Sequence, residues 1–287
     1  SYTEMIWNIT WDNARDWLVL QSGDDRVLIL RSQDGSEIDH LNVTANGTPI
    51  ARLSRDGNFL AASGERFGTQ IFDATTRRKL AADPAPAWHL QFDASGTRLG
   101  SQLDHGRPLW LEWQPPLVQR TWRSPAQLDV NESLAFSSDG RWLASLIGGG
   151  LIVRDVATGR NFARLKLEGA RAVAFDSKNR QLFCLTDKAL YTVALAEISD
   201  GIPSDPPQRV LTGDMLRGLD QSEDGRIAVG DQAGSLVHLF GHEARAEVPL
   251  PIRPLRVAFS PDGHWLACGE FLNPNLYVSD VTRPDQA

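Results

Sequence analysis

The chain predicts an all-β fold: a seven-bladed β-propeller with four-stranded antiparallel blades. Three observations predict it. An apolar run, a tight polar turn and a second apolar run recur seven times. The turn residues Arg15, Gly57, Gly96, Gly140, Asn179, Gly225 and Gly263 stand 42, 39, 44, 39, 46 and 38 positions apart. That is near the period of roughly 40–45 for a blade of four short strands. Within each repeat polarity alternates with period two, which argues half-buried strands rather than helices.

The clearest copies are Phe259-Ser-Pro-Asp-Gly263-His-Trp-Leu266 and Phe136-Ser-Ser-Asp-Gly140-Arg-Trp-Leu143. Weaker ones begin at Leu53, Phe92 and Phe175, and Trp11 to Leu18 is degraded. The sixth, from Leu219 through Gly225 to Ile227, reads as carrying one extra turn residue. Gly and Asn in these turns reach positive φ at little cost, and the preceding Asp bonds back to the turn backbone. The chain 1–287 is thus one propeller, with blades at about 7–42, 48–82, 87–123, 131–167, 170–212, 215–250 and 254–281.

Each blade runs from an inner strand a to an outer strand d. In the fourth, a is Ser133–Ser137, b is Arg141–Leu146, c is Leu151–Val156 and d is Asn161–Leu165. Strand a puts paired apolar residues on one face, such as Val257 with Phe259 and Leu134 with Phe136. Each large one contributes roughly 1.5–3 kcal/mol when buried between sheets. Between them stand small residues: Thr10, Ala135, Ala174, Gly218 and Ala258. Arg52 and Gln91 break that rule. The tryptophans read mostly as core, and Ala196–Pro207 is the longest loop. The seventh blade has no good fourth strand of its own, so residues 1–6 are expected to pair onto it, closing an open edge.

A formal charge of −7 and a pI near 5.4 disfavour nucleic acid, which needs a basic face. The longest apolar stretch, Leu143 to Val153, is broken by three glycines and falls short of the ~20 residues of a membrane span. Cys184 and Cys268 share one strand-b position in non-adjacent blades, too far apart for a disulfide. They read as buried free thiols in a reducing compartment, which favours the cytoplasm over an extracytoplasmic setting. The chain does not begin with Met, and the expectation is a piece of a longer protein.

These residues resemble the WD-repeat propeller family over essentially the whole chain. Phe259 to Gly269 is similar to that family's a–b hairpin phrase, and Leu151-Ile-Val-Arg-Asp155-Val-Ala-Thr-Gly159 resembles its strand c and following turn. Asp73 and Asp280 match the same aspartate position, and Glu112 approximates it. Arg154, Phe72 and Ser279 stand where the family has Trp. The family's Gly-His dipeptide is missing from the d–a loops, so its hydrogen-bond tetrad is not expected in most blades. The Ser-Pro-Asp-Gly phrase is also similar to periplasmic Tol-system propellers. The resemblance implies a bacterial-type interaction or sensory scaffold without enzymatic activity, attached to a kinase or signal-transduction ATPase. A channel-mouth ligand-binding or enzymatic propeller and a Tol-like accessory protein are the alternatives.

No catalytic residue, cofactor or metal set emerges, since the six histidines scatter over four blades without ligand spacing. The features that point to binding are loops. Asp24 and Asp25, then Glu65, Arg66 and Phe67, then Asp104 and His105, then Glu270, Phe271 and Leu272 would share one rim of blades one, two, three and seven. Apolar anchors among carboxylates suit a protein or peptide with basic and apolar residues. The plain alternative is that Phe67 and Phe271 fold back on their own blades. Arg52, His89 and Gln91 mark a second candidate, a pocket at the channel mouth, against which stands a simple polar contact between blades.

Overall fold

In the computed structural model the described residues are 6–12, 15–22, 26–32, 34–42, 50–64, 67–103, 107–112, 118–121, 133–147, 150–176, 178, 180–195, 198–199, 202–203, 206–241, 245–260, 262–270 and 276–282. They form a seven-bladed β-propeller of antiparallel sheets. Six blades have four strands, and the seventh has three among the described residues. Strands a are Ile6–Asp12, Ile50–Leu53, Ala87–Phe92, Leu134–Phe136, Ala170–Phe175, Leu216–Gln221 and Pro254–Phe259. Ile6 lies opposite Ser22 in the first blade. Residues 1–5, expected to close the seventh, lie outside the described residues.

The chain divides into two compact units, Ser1–Ala87 with Arg217–Ala287, and Trp88–Leu216. In the first, blade seven packs on blade one through a core of Ile9, Trp11, Leu18, Leu28, Ala258 and Ala267. The Trp11 indole N–H donates to the Ala258 carbonyl at 3.0 Å. Blades one and two share Val19, Ile29, Ala51 and Leu60, and blades six and seven share Val237, Val248, Val257 and Phe259. In the second unit, blades four and five join through Val153, Leu165, Val173 and Leu182. Alternate apolar residues therefore face neighbouring sheets, as the period-two pattern requires.

The repeated turn phrase has a mechanical cause. Ser54 Oγ donates to Asp56 at 2.6 Å and accepts the Phe59 N–H at 2.9 Å. Gly57 sits at φ +71°, with its N–H on the Ser54 carbonyl. Ser137, Ser222 and Ser260 repeat that arrangement with Asp139, Asp224 and Asp262. Where the chain has Asp in place of Ser, the carboxylate itself accepts, from Arg98 N–H to Asp93 and from Gln181 N–H to Asp176.

Blade six corrects the sequence reading. Ser222 holds the place of Ser260, because Gly225 N–H bonds to the Ser222 carbonyl as Gly263 N–H bonds to that of Ser260. The hairpin closes on Arg226, one residue sooner than the Trp265 closure of blade seven. It is therefore shorter by one residue, not longer. Counting back, Asp220 and not Gly218 takes the small-residue position of Ala258.

Two further expectations change. Trp265 is 43% exposed and Trp88 45% exposed. The first residue of strand b projects past its neighbour's cover, and at Trp17 and Trp142 the guanidinium groups of Arg15 and Arg141 supply the missing cover. The 196–207 excursion contains a short ribbon, Ile198–Ser199 paired with Ile202–Pro203, set against Asn161–Lys166. Arg154, in the family's Trp position, is buried and donates to Ser145 Oγ at 3.0 Å. Cys184 and Cys268 are free, buried thiols whose pKa burial raises to about 12.

Candidate functional site

Of the expected rim arc, Asp24, Asp25, Glu65, Arg66, Asp104, His105, Phe271 and Leu272 lie outside the described residues. Phe67 is half-buried and packs against the core shared by blades one and two. Glu270 ends a strand, and its carboxylate accepts the Arg253 N–H at 3.4 Å. Of the channel-mouth set, His89 and Gln91 are half-buried on strand a of blade three. Arg52 belongs to the other unit.

Arg52 is the next-to-last residue of its strand, one step from the a–b hairpin. Its Nη1 donates to the Asn8 side-chain oxygen and, at 3.5 Å, to the Ile9 carbonyl. Asn8 is buried and spends its own amide N–H on the Ala51 carbonyl at 2.7 Å. Both Arg52 bonds leave from one nitrogen, so the second edge of the guanidinium takes no part in this anchor.

Asp220 occupies the same strand position in blade six and reaches the next blade, accepting the Phe259 N–H at 2.7 Å. Burial raises its pKa to about 6, against the lowering effect of the Phe259 and Gln221 N–H groups and the Arg52 charge. Burial likewise lowers Arg52 to about 10, with Arg256 lowering it further and Asp220 pulling the other way. Arg256 is lowered by burial and then by the charge of Arg217, which burial also lowers. Arg256 keeps an exposed surface and Arg52, Arg217 and Asp220 keep part of theirs, yet all four lose hydration to the protein around them.

Sequence reading found Arg52 as an exception to the small-residue rule. It missed Asp220, because the shortened hairpin shifted the alignment by two positions. The signal was present: matching Ser222-Glu-Asp-Gly225 to Ser260-Pro-Asp-Gly263 puts Asp220 opposite Ala258. Arg256 lies two residues before Ala258 and shares its face of the strand. A separate polar bridge within blade six sets the buried His238 ring 3.3 Å from Asp231 and 3.2 Å from Glu247. It ties strands b, c and d of one sheet. Among the described residues no group of three or more His, Cys, Asp or Glu side chains could hold a metal ion, and no helix is long and apolar enough to cross a membrane.

Solved structures share this fold. The β-propeller domain of Cps50 (Swd1) from Myceliophteria thermophila matches over 98% of both chains, with a TM-score of 0.77 at 13% identity. A chain of a mitotic checkpoint complex matches over 95% of this chain and 86% of its own, with a TM-score of 0.77 at 20% identity. Kuenenia stuttgartiensis hydrazine synthase matches over 98% of this chain and 97% of its own, with a TM-score of 0.75 at 13% identity. No family model matches the chain, and no curated protein matches it in sequence. The fold is that of a β-propeller.

Proposed function

We propose that this propeller is a non-enzymatic protein-interaction or sensory scaffold module of a larger bacterial signalling protein, such as a kinase or a signal-transduction ATPase. The observation that carries the reading is the likeness, over 95% of this chain, to a propeller that works inside a named complex. Exposed apolar side chains add to it, Trp265 and Met215 being 43% and 47% exposed. Two free, buried thiols support a reducing, cytoplasmic setting. The partner is a protein segment with basic and apolar residues, held by the carboxylates and apolar anchors of the 24–25, 65–66 and 270–272 loops of one compact unit.

An array of immobilised peptides that interleave Lys or Arg with Leu or Phe tests this. The protein should retain a subset, and the variant with Asp24→Lys, Asp25→Lys and Glu65→Lys should lose it at an unchanged melting temperature. Equal retention by wild type and variant would overturn the arc. A small ligand at the inner strands is the second reading, and the charge gathered around Arg52 favours it.

A further inference from the structure

We propose that Trp265 and Asp280, at the hairpin end of blade seven, bind an arginine side chain of a protein partner. The inference rests on the reading that this propeller binds protein, and it adds a contact away from the peptide loops. Trp265 opens strand b, Trp265–Glu270, whereas the 270–272 loop follows the far end of that strand.

Blade four shows what this position holds. Trp142 opens its strand b and stands opposite Asp155 of strand c. The Arg141 guanidinium lies 4.5 Å from the centre of the Trp142 ring, with Nε 3.7 Å from Asp155 Oδ2. One planar cation is thus shared between an indole face and a carboxylate. Other blades make half of the arrangement. In blade three Arg98 opens strand b opposite Glu112, with Nε 3.9 Å from Oε2. In blade one the Arg15 guanidinium lies 5.2 Å from the centre of the Trp17 ring.

Blade seven repeats the receptor without its arginine. Trp265 stands opposite Asp280, as Trp142 stands opposite Asp155. The backbone matches too: Val281 N–H bonds to the His264 carbonyl, as Val156 N–H bonds to the Arg141 carbonyl. His264 therefore holds the place of Arg141, and its ring turns to Asp262 at 3.3 Å. Arg226 of blade six reaches the same hairpin but bonds to the Gly263 carbonyl and to Asp224. Among the described residues no ring or cation stacks on Trp265, which is 43% exposed.

The carboxylate suits the same use. Asp280 Oδ1 accepts the Thr282 N–H and hydroxyl, as Asp155 Oδ1 accepts those of Thr158. In blade four the turn bonds and the guanidinium fall on different oxygens of one carboxylate, so the turn bonds of Asp280 do not bar a cation. An arginine from outside completes the pattern. Its flat guanidinium stacks on the indole while its edge meets the carboxylate, and the compact lysine ammonium cannot do both as well.

NMR of the whole protein with isotope-labelled indoles tests the proposal. The probe is a tripeptide with arginine between two leucines, and the comparisons place lysine or uncharged citrulline there. Trp265→Leu assigns the indole signal. That signal should shift saturably with the arginine peptide, at an affinity about threefold or more tighter than with either comparison. Trp88, 45% exposed on another strand, should not respond. In His264→Arg the protein's own arginine fills the site, so binding should weaken about threefold or more. Its melting temperature should hold, because blade four folds with arginine at this place. The variant with Asp24→Lys, Asp25→Lys and Glu65→Lys should bind as wild type does, which separates failure of the loop arc from failure of this site. Equal binding of arginine and citrulline peptides, tighter binding of the lysine peptide, or a smaller loss in His264→Arg would overturn the proposal.

Discussion

Blades four and five and blades two and six meet the same crowding at the same strand position in opposite ways. Blades four and five place Ala135 and Ala174 there, flanked by Leu134 and Val173 in buried cores. Their inner strands require nothing beyond packing. Blades two and six place Arg52 and Asp220 there, and both groups are pushed from their ordinary pKa values, to about 10 and about 6. A propeller blade folds well with alanine at this position, as blades four and five demonstrate. In blades two and six the charged side chains instead reach the neighbouring blade, Arg52 to the Asn8 oxygen and Ile9 carbonyl and Asp220 to the Phe259 N–H.

The sharpest contrast lies between scaffold and charge. Trp11 belongs to the scaffold: it is 6% exposed, sits in the core between blades one and seven, and bonds to the Ala258 carbonyl. Trp11→Ala should lower unfolding free energy by about 3–5 kcal/mol, read by denaturant titration. A cost under 1 kcal/mol would mean that blades one and seven are not locked there. Arg52→Met should act in the other sense. It removes a cation repelled by Arg256 and leaves the Asn8 oxygen without its donor, so the two effects nearly offset and the change stays within about 1 kcal/mol. A cost above 3 kcal/mol would return Arg52 to a structural role and erase the contrast between the blades.

How much of this was legible in the sequence follows from what kind of physics each feature obeys. The propeller was readable because Ser-x-Asp-Gly hairpins are local devices: serine, aspartate and glycine make their bonds within five residues of one another. Strand c of the fourth blade, expected at Leu151–Val156 from the same period, runs over Gly150–Asp155. Arg52 was readable as an exception to a pattern. Asp220 was not, because the shorter hairpin moves the alignment by two positions, which keeps the face but puts Asp220 rather than Gly218 opposite Ala258. Arg52 meets Asn8 across 44 positions of the chain and Asp220 meets Phe259 across 39. No local rule brings such residues together. Trp265 was misread because a strand-b tryptophan reads as core, whereas its place at the strand end leaves it in water.

The most direct test of the account is the stability of wild type and Asp220→Asn compared at pH 4 and pH 8. Asp220 has a folded pKa of about 6 against an ordinary 3.8, so between those values the folded protein holds the proton more tightly than the unfolded chain. Its contribution is therefore favourable at low pH and is lost as pH rises from about 4 to about 6. Asparagine keeps the acceptor for the Phe259 N–H and carries no charge. The account predicts equal stability at pH 4 and an advantage of about 2 kcal/mol for Asp220→Asn at pH 8. A variant less stable than wild type at pH 8, or a difference that does not change with pH, would contradict it.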